Sequence, residues 1–422
     1  MLSERRLPFQ GLSAQGWQNL GLAAVLTLYC AHIGMEILNG LALRTDYLAF
    51  WSAGYIANNY GYAQAYDLEV MTSTQKRLLA QFGFQIAAFY PTPFLYLPVF
   101  ILPFQLLARF PIPSSFLFWT AFNLAAFIVY MRSFIQRLAS NAPAQANRLT
   151  FMLLVSYPVF STFHNGQTNI LLLLCAGEFI LTSHKGNDFR AGLWLGGLLL
   201  KPQTLILIAP ALALQRRWKS LAGLSAATLV ILLLSTSLAG QTGMGAMATA
   251  WGNDAEISPI DPKLMMNWRM VGSYLQDLSG PASPTIAWIG MGLTFVISLL
   301  LWKQPLHASS PAFLMAVFGS LAATCAVTWH SHIYMLAILA PFVAYFYLEG
   351  ELGESFLNLW TFLLPTALLI SLILSLLKSF YPLPLNEHLT GALLGYCALF
   401  LNIYILLLAY RGIPKMLSVS KR

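Results

Sequence analysis

Residues 219–239 read KSLAGLSAATLVILLLSTSLA. Past Lys219 the run carries no charge, and its length matches the roughly 20 predominantly apolar residues that a helix needs to cross a bilayer. Comparable runs lie near 17–38, 114–131, 150–163, 168–183, 191–214, 286–302, 311–328, 333–348, 357–377 and 391–410. The composition agrees. The 422-residue chain is 58% hydrophobic and 9% charged, against roughly 25% charged in soluble proteins, and its mean hydropathy is +0.66. The expected fold class is therefore an all-α polytopic membrane protein, a single domain over 1–422 with about 11–13 spans. Two runs are irregular. The run 94–108 is short and broken by Pro98 and Pro103, and 191–214 contains Lys201-Pro202, which predicts two half-helices or a helix pair meeting outside the bilayer.

The net charge of +8 does not point to nucleic acid. Basic residues cluster between the runs, at Arg5-Arg6, Arg132 to Arg148, Lys185 to Arg190, Arg216-Arg217-Lys219 and Arg411 to Arg422, the pattern of cytoplasmic loops. Run 17–38 follows two arginines without a clear cleavage site, which predicts a retained signal anchor with a cytoplasmic N-terminus. Alternation then places 164–167, 201–203, 240–286, 329–332 and 378–390 on the opposite face. Parity leaves 94–108 either re-entrant or paired with a further crossing. Cys30, Cys175, Cys325 and Cys397 lie inside apolar runs without metal or disulfide spacing.

Two stretches read as extracytoplasmic loops. The first, 39–93, carries Tyr55, Tyr60, Tyr62, Tyr66, Gln75, Lys76, Arg77 and Gln81, which predicts short aromatic-rich helices on the membrane surface. It ends in Tyr90-Pro91-Thr92-Pro93-Phe94-Leu95-Tyr96-Leu97-Pro98, a rigid entry to the bilayer. The second, 240–286, carries Asn267-Trp268-Arg269, placed as a lid.

Four polar islands interrupt the apolar sequence. In RTDYLAFWSAG (44–54) Asp46 is the one acid between Glu36 and Asp67. A carboxylate held beside lipid is costly and usually functional, although Asp is also a good N-cap for a helix starting at Tyr47. In His164-Asn165-Gly166-Gln167-Thr168-Asn169, the amides offer donors and acceptors to sugar hydroxyls, or Asn165-Gly166 simply makes a turn. Lys201-Pro202-Gln203 sets a lysine in apolar surroundings, as a contact for phosphate or as a snorkelling side chain. Thr328-Trp329-His330-Ser331-His332-Ile333-Tyr334 has two histidines but no further metal ligand nearby in sequence. They suit hydrogen bonding or charge pairing with Asp46 or a phosphate.

Taken in order, these islands resemble glycosyltransferase family 87, the polyprenol-phosphate-mannose-dependent mannosyltransferases and their relatives. The resemblance rests on Asp46-Tyr47, Tyr90-Pro91, Asn165-Gly166-Gln167-Thr168-Asn169, Gly196-Gly197 before Lys201-Pro202, and Trp329-His330-Ser331-His332, and covers roughly 40–350. It implies a GT-C-type fold and an inverting, hexosyl-type transfer from a polyprenyl-phosphate sugar to a lipid or glycan acceptor. The expected location is the bacterial inner membrane, with the active site extracytoplasmic. By that likeness Asp46 is the general base, Lys201, His332 and Arg269 meet the donor phosphate, and Tyr47, His164, Asn165, Gln167, Asn169, Gln203 and His330 meet sugar or acceptor. The family commonly carries an acid where His330 stands. No cofactor or metal is implied, and an outer site without cytosolic nucleotide sugars fits a lipid-linked donor. Two other classes compete: a transporter or flippase, which expects polar residues midway through several spans, and an outer-face polysaccharide ligase or polymerase.

Overall fold

The computed structural model describes residues 13–38, 40, 43, 45–83, 91–139, 143–257, 262–279, 283–307, 309–380 and 389–419. Arg5-Arg6, Tyr90 and most of 378–390 lie outside the described residues. Within them there is no strand, and the elements are helices: α1 (Ala14–Leu38), α2 (Tyr47–Tyr60), α3 (Leu68–Gln81), α4 (Leu102–Leu107), α5 (Ile112–Leu138), α6 (Pro143–Val155), α7 (Tyr157–His164), α8 (Asn169–His184), α9 (Asp188–Gly196), α10 (Ile208–Leu214), α11 (Trp218–Ile257), α12 (Trp268–Ser279), α13 (Ser283–Leu300), α14 (Pro311–Val327), α15 (Ala340–Leu348), α16 (Glu354–Phe380) and α17 (Leu389–Val419). Among the described residues, four segments are long and apolar enough to cross a membrane: Ile112–Leu138, Trp218–Gly252, Glu354–Lys378 and Ala392–Ser418. The run 219–239 lies within the second of these. Its apolar side chains face outward, with Leu229, Val230 and Leu233 each more than half exposed. Such a surface suits lipid and would be a liability in water. The protein is an all-α polytopic membrane protein.

Proline and glycine set the breaks. Pro202 disfavours helical backbone at the residue before it, and Lys201 is extended at φ −135°, ψ 82°, between two short 3-10 turns, Gly197–Leu200 and Pro202–Leu205. This is the expected discontinuity in 191–214. Pro98 opens a 3-10 turn that leads into α4. Together Pro98–Leu107 cover ten residues, about 15–20 Å of helix against a hydrocarbon core of about 30 Å. This piece does not reach across. α11 is kinked at Gly240, whose φ of 64° and ψ of −177° no helix residue adopts, so its last part sets off in a new direction.

Two apolar cores result. The larger joins α5, α6, α8, α14, α15, α16 and α17. The smaller packs α2 and α3 against 94–119 and Met247 of α11. Ten of the fourteen α2 residues are buried, among them Tyr47, Phe50 and Trp51. Of the loop tyrosines, Tyr66 is buried in this second core, Tyr55 and Tyr62 pack against it, and Tyr60 is exposed. Tyr96, Phe100 and Leu171 pack against both cores and mark the seam between them.

The bundle has two chemically different ends. At one, Arg148 Nη1 and Nη2 donate to the Glu354 carboxylate at 2.9 and 2.7 Å, and Nη2 also reaches Gln18 at 3.0 Å. Arg137 pairs with Glu178 and Arg217 with Asp188. The other end holds the polar islands. The chain runs from Gln18 to His32 in α1, from Arg148 to His164 through α6 and α7, and from Tyr347 back to Tyr334. At 1.5 Å per residue each path covers about 20–24 Å.

Candidate active site

The islands converge at the seam. Asp46 occupies the N-cap position of α2, but its backbone is helical (φ −60°, ψ −17°) and its side chain makes no capping bond. The carboxylate is used elsewhere: Gln167 Nε2 donates to Asp46 Oδ2 at 2.5 Å. The same amide accepts from Lys201 Nζ at 2.9 Å. Lys201 also lies over the Tyr334 ring, 4.5 Å from its centre, and the Tyr334 hydroxyl is directed at Asp46. Four side chains from four separate parts of the chain therefore form a ring. Lys201 is 3% exposed and Gln167 2%. Among the described residues no carboxylate pairs with Lys201 within 4.0 Å. A buried ammonium held only by an amide and a ring face is under-compensated.

These residues face a cleft of about 360 Å³. Its polar lining includes Asp46, Gln167, Lys201, Gln203, His330 and His332, and its apolar wall includes Phe50, Leu95, Ile206 and Trp251. Trp251 belongs to the part of α11 beyond the kink and donates to the Leu95 carbonyl at 2.8 Å. His332 sits in the loop between α14 and the following 3-10 helix, its ring 5.2 Å from that of Tyr334. Burial pushes its titration below the ordinary histidine value, and Asp46 partly offsets this.

The loop that carries the histidines is held from the 240–286 stretch. Asn267 Nδ2 donates to the carbonyls of Thr328 (2.7 Å) and Trp329 (3.2 Å), while its Oδ1 accepts from Met270 N–H at the start of α12. Met266 N–H donates to the Ser331 carbonyl at 3.0 Å. Arg269 stacks on Trp329, 3.9 Å from the ring centre, and does not line the cleft.

The remaining sequence-predicted residues lie outside the lining. Tyr47 is fully buried, its hydroxyl 2.5 Å from Ser115 Oγ and its ring edge-on to Phe104 and Phe116. Asn165 donates to Ser161 in its own helix. His164 stacks on His32 at 5.0 Å. Asn169 donates to the Tyr334 carbonyl at 2.7 Å and so ties the turn to the 3-10 helix. Gly166, at φ +60°, packs so closely that a Cβ there would stand 2.7 Å from Tyr47 Cβ, and Trp119 Nε1 donates to its carbonyl at 2.9 Å. The Asn-Gly-Gln-Thr-Asn island is thus both a turn and a part of the site, with Gln167 as its member in the cleft.

Sequence reasoning passed over Tyr334, Tyr96 and Trp251. The first two sit inside stretches that had been singled out, two residues past His332 and three past Pro93. Trp251 has no sequence signal, because its partner Leu95 is 156 residues away.

The arrangement offers one carboxylate able to accept a proton and one ammonium able to meet an anion, with imidazoles beside them. Comparison with known proteins bears on the activity. No curated protein and no solved structure matches this chain. One family model does, over residues 94–328, a range that contains Gln167, Lys201 and Gln203 and stops short of Asp46 and of the two loop histidines. Because that range is more than half of its length, the chain belongs to glycosyltransferase family 87.

Proposed function

We propose that this chain transfers a sugar from a polyprenyl-phosphate carrier to a lipid or glycan acceptor at the extracytoplasmic membrane face, with inversion and with Asp46 as general base. One observation carries the reading: the carboxylate of Asp46 and the ammonium of Lys201 face one cleft, a single amide apart, in a lipid-embedded bundle. In the step, Asp46 removes the proton of an acceptor hydroxyl. The hydroxyl oxygen bonds to the anomeric carbon as the bond from that carbon to the phosphate oxygen breaks. The departing phosphate takes the electron pair, and Lys201 with His332 offsets its charge. Stabilisation of charge as it develops is commonly the largest catalytic contribution.

Three observations support the finer assignments. The cleft lies at the end opposite Arg137, Arg148 and Arg217, members of the basic clusters that the positive-inside pattern assigns to the cytoplasm, and a nucleotide sugar would then be on the wrong side. The apolar wall at Ile206 and Trp251 offers the carrier's first isoprene units a surface, the two residues being 53% and 41% exposed. His330 and Gln203 line the same cleft as contacts for sugar hydroxyls. Arg269 acts through Trp329. Mannose is carried over from the family resemblance, and the reaction is proposed to need no metal or other cofactor.

The test is transfer of radiolabel from polyprenyl-phosphate-mannose by purified protein and its Asp46→Asn variant, with folding followed by thermal melting. Loss of at least about 10³-fold in turnover by a folded variant is expected for a base of this kind. Undiminished turnover would remove Asp46 from the mechanism. Silence of the wild type with this donor, but transfer from another lipid-linked sugar, would overturn mannose alone.

A further inference from the structure

Gln167 was expected to touch sugar or acceptor, yet both ends of its amide are already engaged. Nε2 donates to Asp46 Oδ2 at 2.5 Å and Oε1 accepts from Lys201 Nζ at 2.9 Å, and the side chain is 2% exposed. Its backbone is equally fixed. Gln167 N–H donates to the Thr162 carbonyl at 2.9 Å, and the preceding Gly166 is wedged on Tyr47, the neighbour of Asp46. An amide so placed can do something that neither charged residue can do alone. It keeps a flexible lysine and a carboxylate roughly 7 Å apart along the hydrogen-bonded path, where direct contact would form an ion pair.

We propose that Gln167 is a positioning residue that prevents Asp46 and Lys201 from pairing directly, so that Asp46 keeps its basicity and Lys201 stays available to an anion. This rests on the reading of Asp46 as general base. Direct pairing would hold the carboxylate in its charged, weakly basic form and occupy the ammonium. The amide permits neither. Because it both donates and accepts, it also fixes the orientation in which Asp46 Oδ2 faces the amide and Lys201 faces its oxygen. The other titratable groups that act on Asp46 are Tyr96, Tyr334, His332 and His164; Tyr334 also meets Lys201, but through its ring face, whereas Gln167 hydrogen-bonds to both charged groups.

Two variants separate this role from a merely structural one. In Gln167→Met the shape is kept and the spacer lost, and Lys201 swings onto the carboxylate. The change from roughly 7 to 4 Å should move the acid limb of kcat/KM down by about one pH unit, with kcat reduced about 10–100-fold. In Gln167→Glu a second carboxylate meets Asp46 and shares its proton, and the limb should move up. Transfer from polyprenyl-phosphate-mannose would be followed from pH 5 to 9 in wild type, in both variants and in Asp46→Asn.

Opposite displacements support the proposal. Equal loss at every pH in both variants, or an increase confined to the KM for acceptor, overturns it. Asp46→Asn that remains active with its acid limb intact overturns the base reading instead, which keeps the two failures distinct. A melting-temperature cycle needs no substrate. The coupling between Asp46→Asn and Lys201→Met should be larger by about 2 °C in the Gln167→Met background than in the wild-type background. Equal coupling in the two backgrounds also overturns the proposal.

Discussion

Gly166→Ala tests whether the turn is a built part of the site. Two costs follow from its geometry. A non-glycine residue at φ +60° costs about 1–2 kcal/mol. The added Cβ would stand 2.7 Å from Tyr47 Cβ, 2.9 Å from its Cδ2 and 3.0 Å from Phe116 Cε2, and overpacking of this kind costs about 1–3 kcal/mol. Together they give about 2–5 kcal/mol, or a fall of roughly 2–6 °C in melting temperature for a chain this long. Gly61 provides the control. Its φ is +93° with nothing within 4 Å of an added Cβ, so Gly61→Ala carries backbone strain alone. The strain relieves itself by displacing Tyr47, and with it Asp46. A shift near 1 Å at a catalytic group can cost about 10²-fold in rate. The assay pairs detergent-solubilised melting with sugar transfer. Equal destabilisation by the two alanines, with turnover undiminished in Gly166→Ala, would refute the wedge.

Other expectations follow from the same geometry. Asn267→Ala removes a helix cap and two hydrogen bonds to the histidine loop, and should cost about 2–3 kcal/mol. It should also raise the KM for donor, since Trp329, His330 and His332 lose their support; transfer kinetics and melting on one preparation check both. Burial, with a smaller contribution from His32, pushes His164 down to about 4 from 6.5. Folding therefore favours its neutral form. The associated stability is complete above pH 6.5 and is lost as pH falls from 6.5 toward 4. His164→Phe should flatten that part of a melting-temperature profile, and an unchanged profile would count against a buried neutral imidazole. Transfer in the presence of EDTA should match the untreated rate, whereas loss that returns on adding a divalent cation would show a metal requirement.

Much of the fold was legible because lipid imposes simple rules. Every backbone polar group in hydrocarbon must be satisfied within its own segment, so a run such as 219–239 can only be helix. The break at Lys201 was legible for a similar reason, since Pro202 removes helical backbone from its predecessor. The burial of α2 was not. An aromatic-rich helix beside a membrane looks the same in sequence whether it rests on lipid or on protein. What buries it is the 94–119 segment, which approaches from elsewhere in the chain.

The site divides along the same line. Asp46, Lys201 and the two histidines were conspicuous because a charged or titratable group in apolar sequence has few structural uses. Their mutual arrangement was hidden. Asp46 and Gln167 are 121 residues apart, and Gln167 and Lys201 are 34 apart. An uncharged amide inside a turn motif carries no sequence mark that distinguishes a sugar contact from a spacer between charges. Its role depends on what both ends touch, which only tertiary structure fixes. The same logic removes Tyr47, Asn165 and Asn169 from the cleft: Tyr47 and Asn169 spend their polar groups on neighbouring elements and Asn165 spends its amide on its own helix. The chemistry-bearing residues could thus be chosen by type, while the residues that hold them could be found only by following each hydrogen bond to its partner.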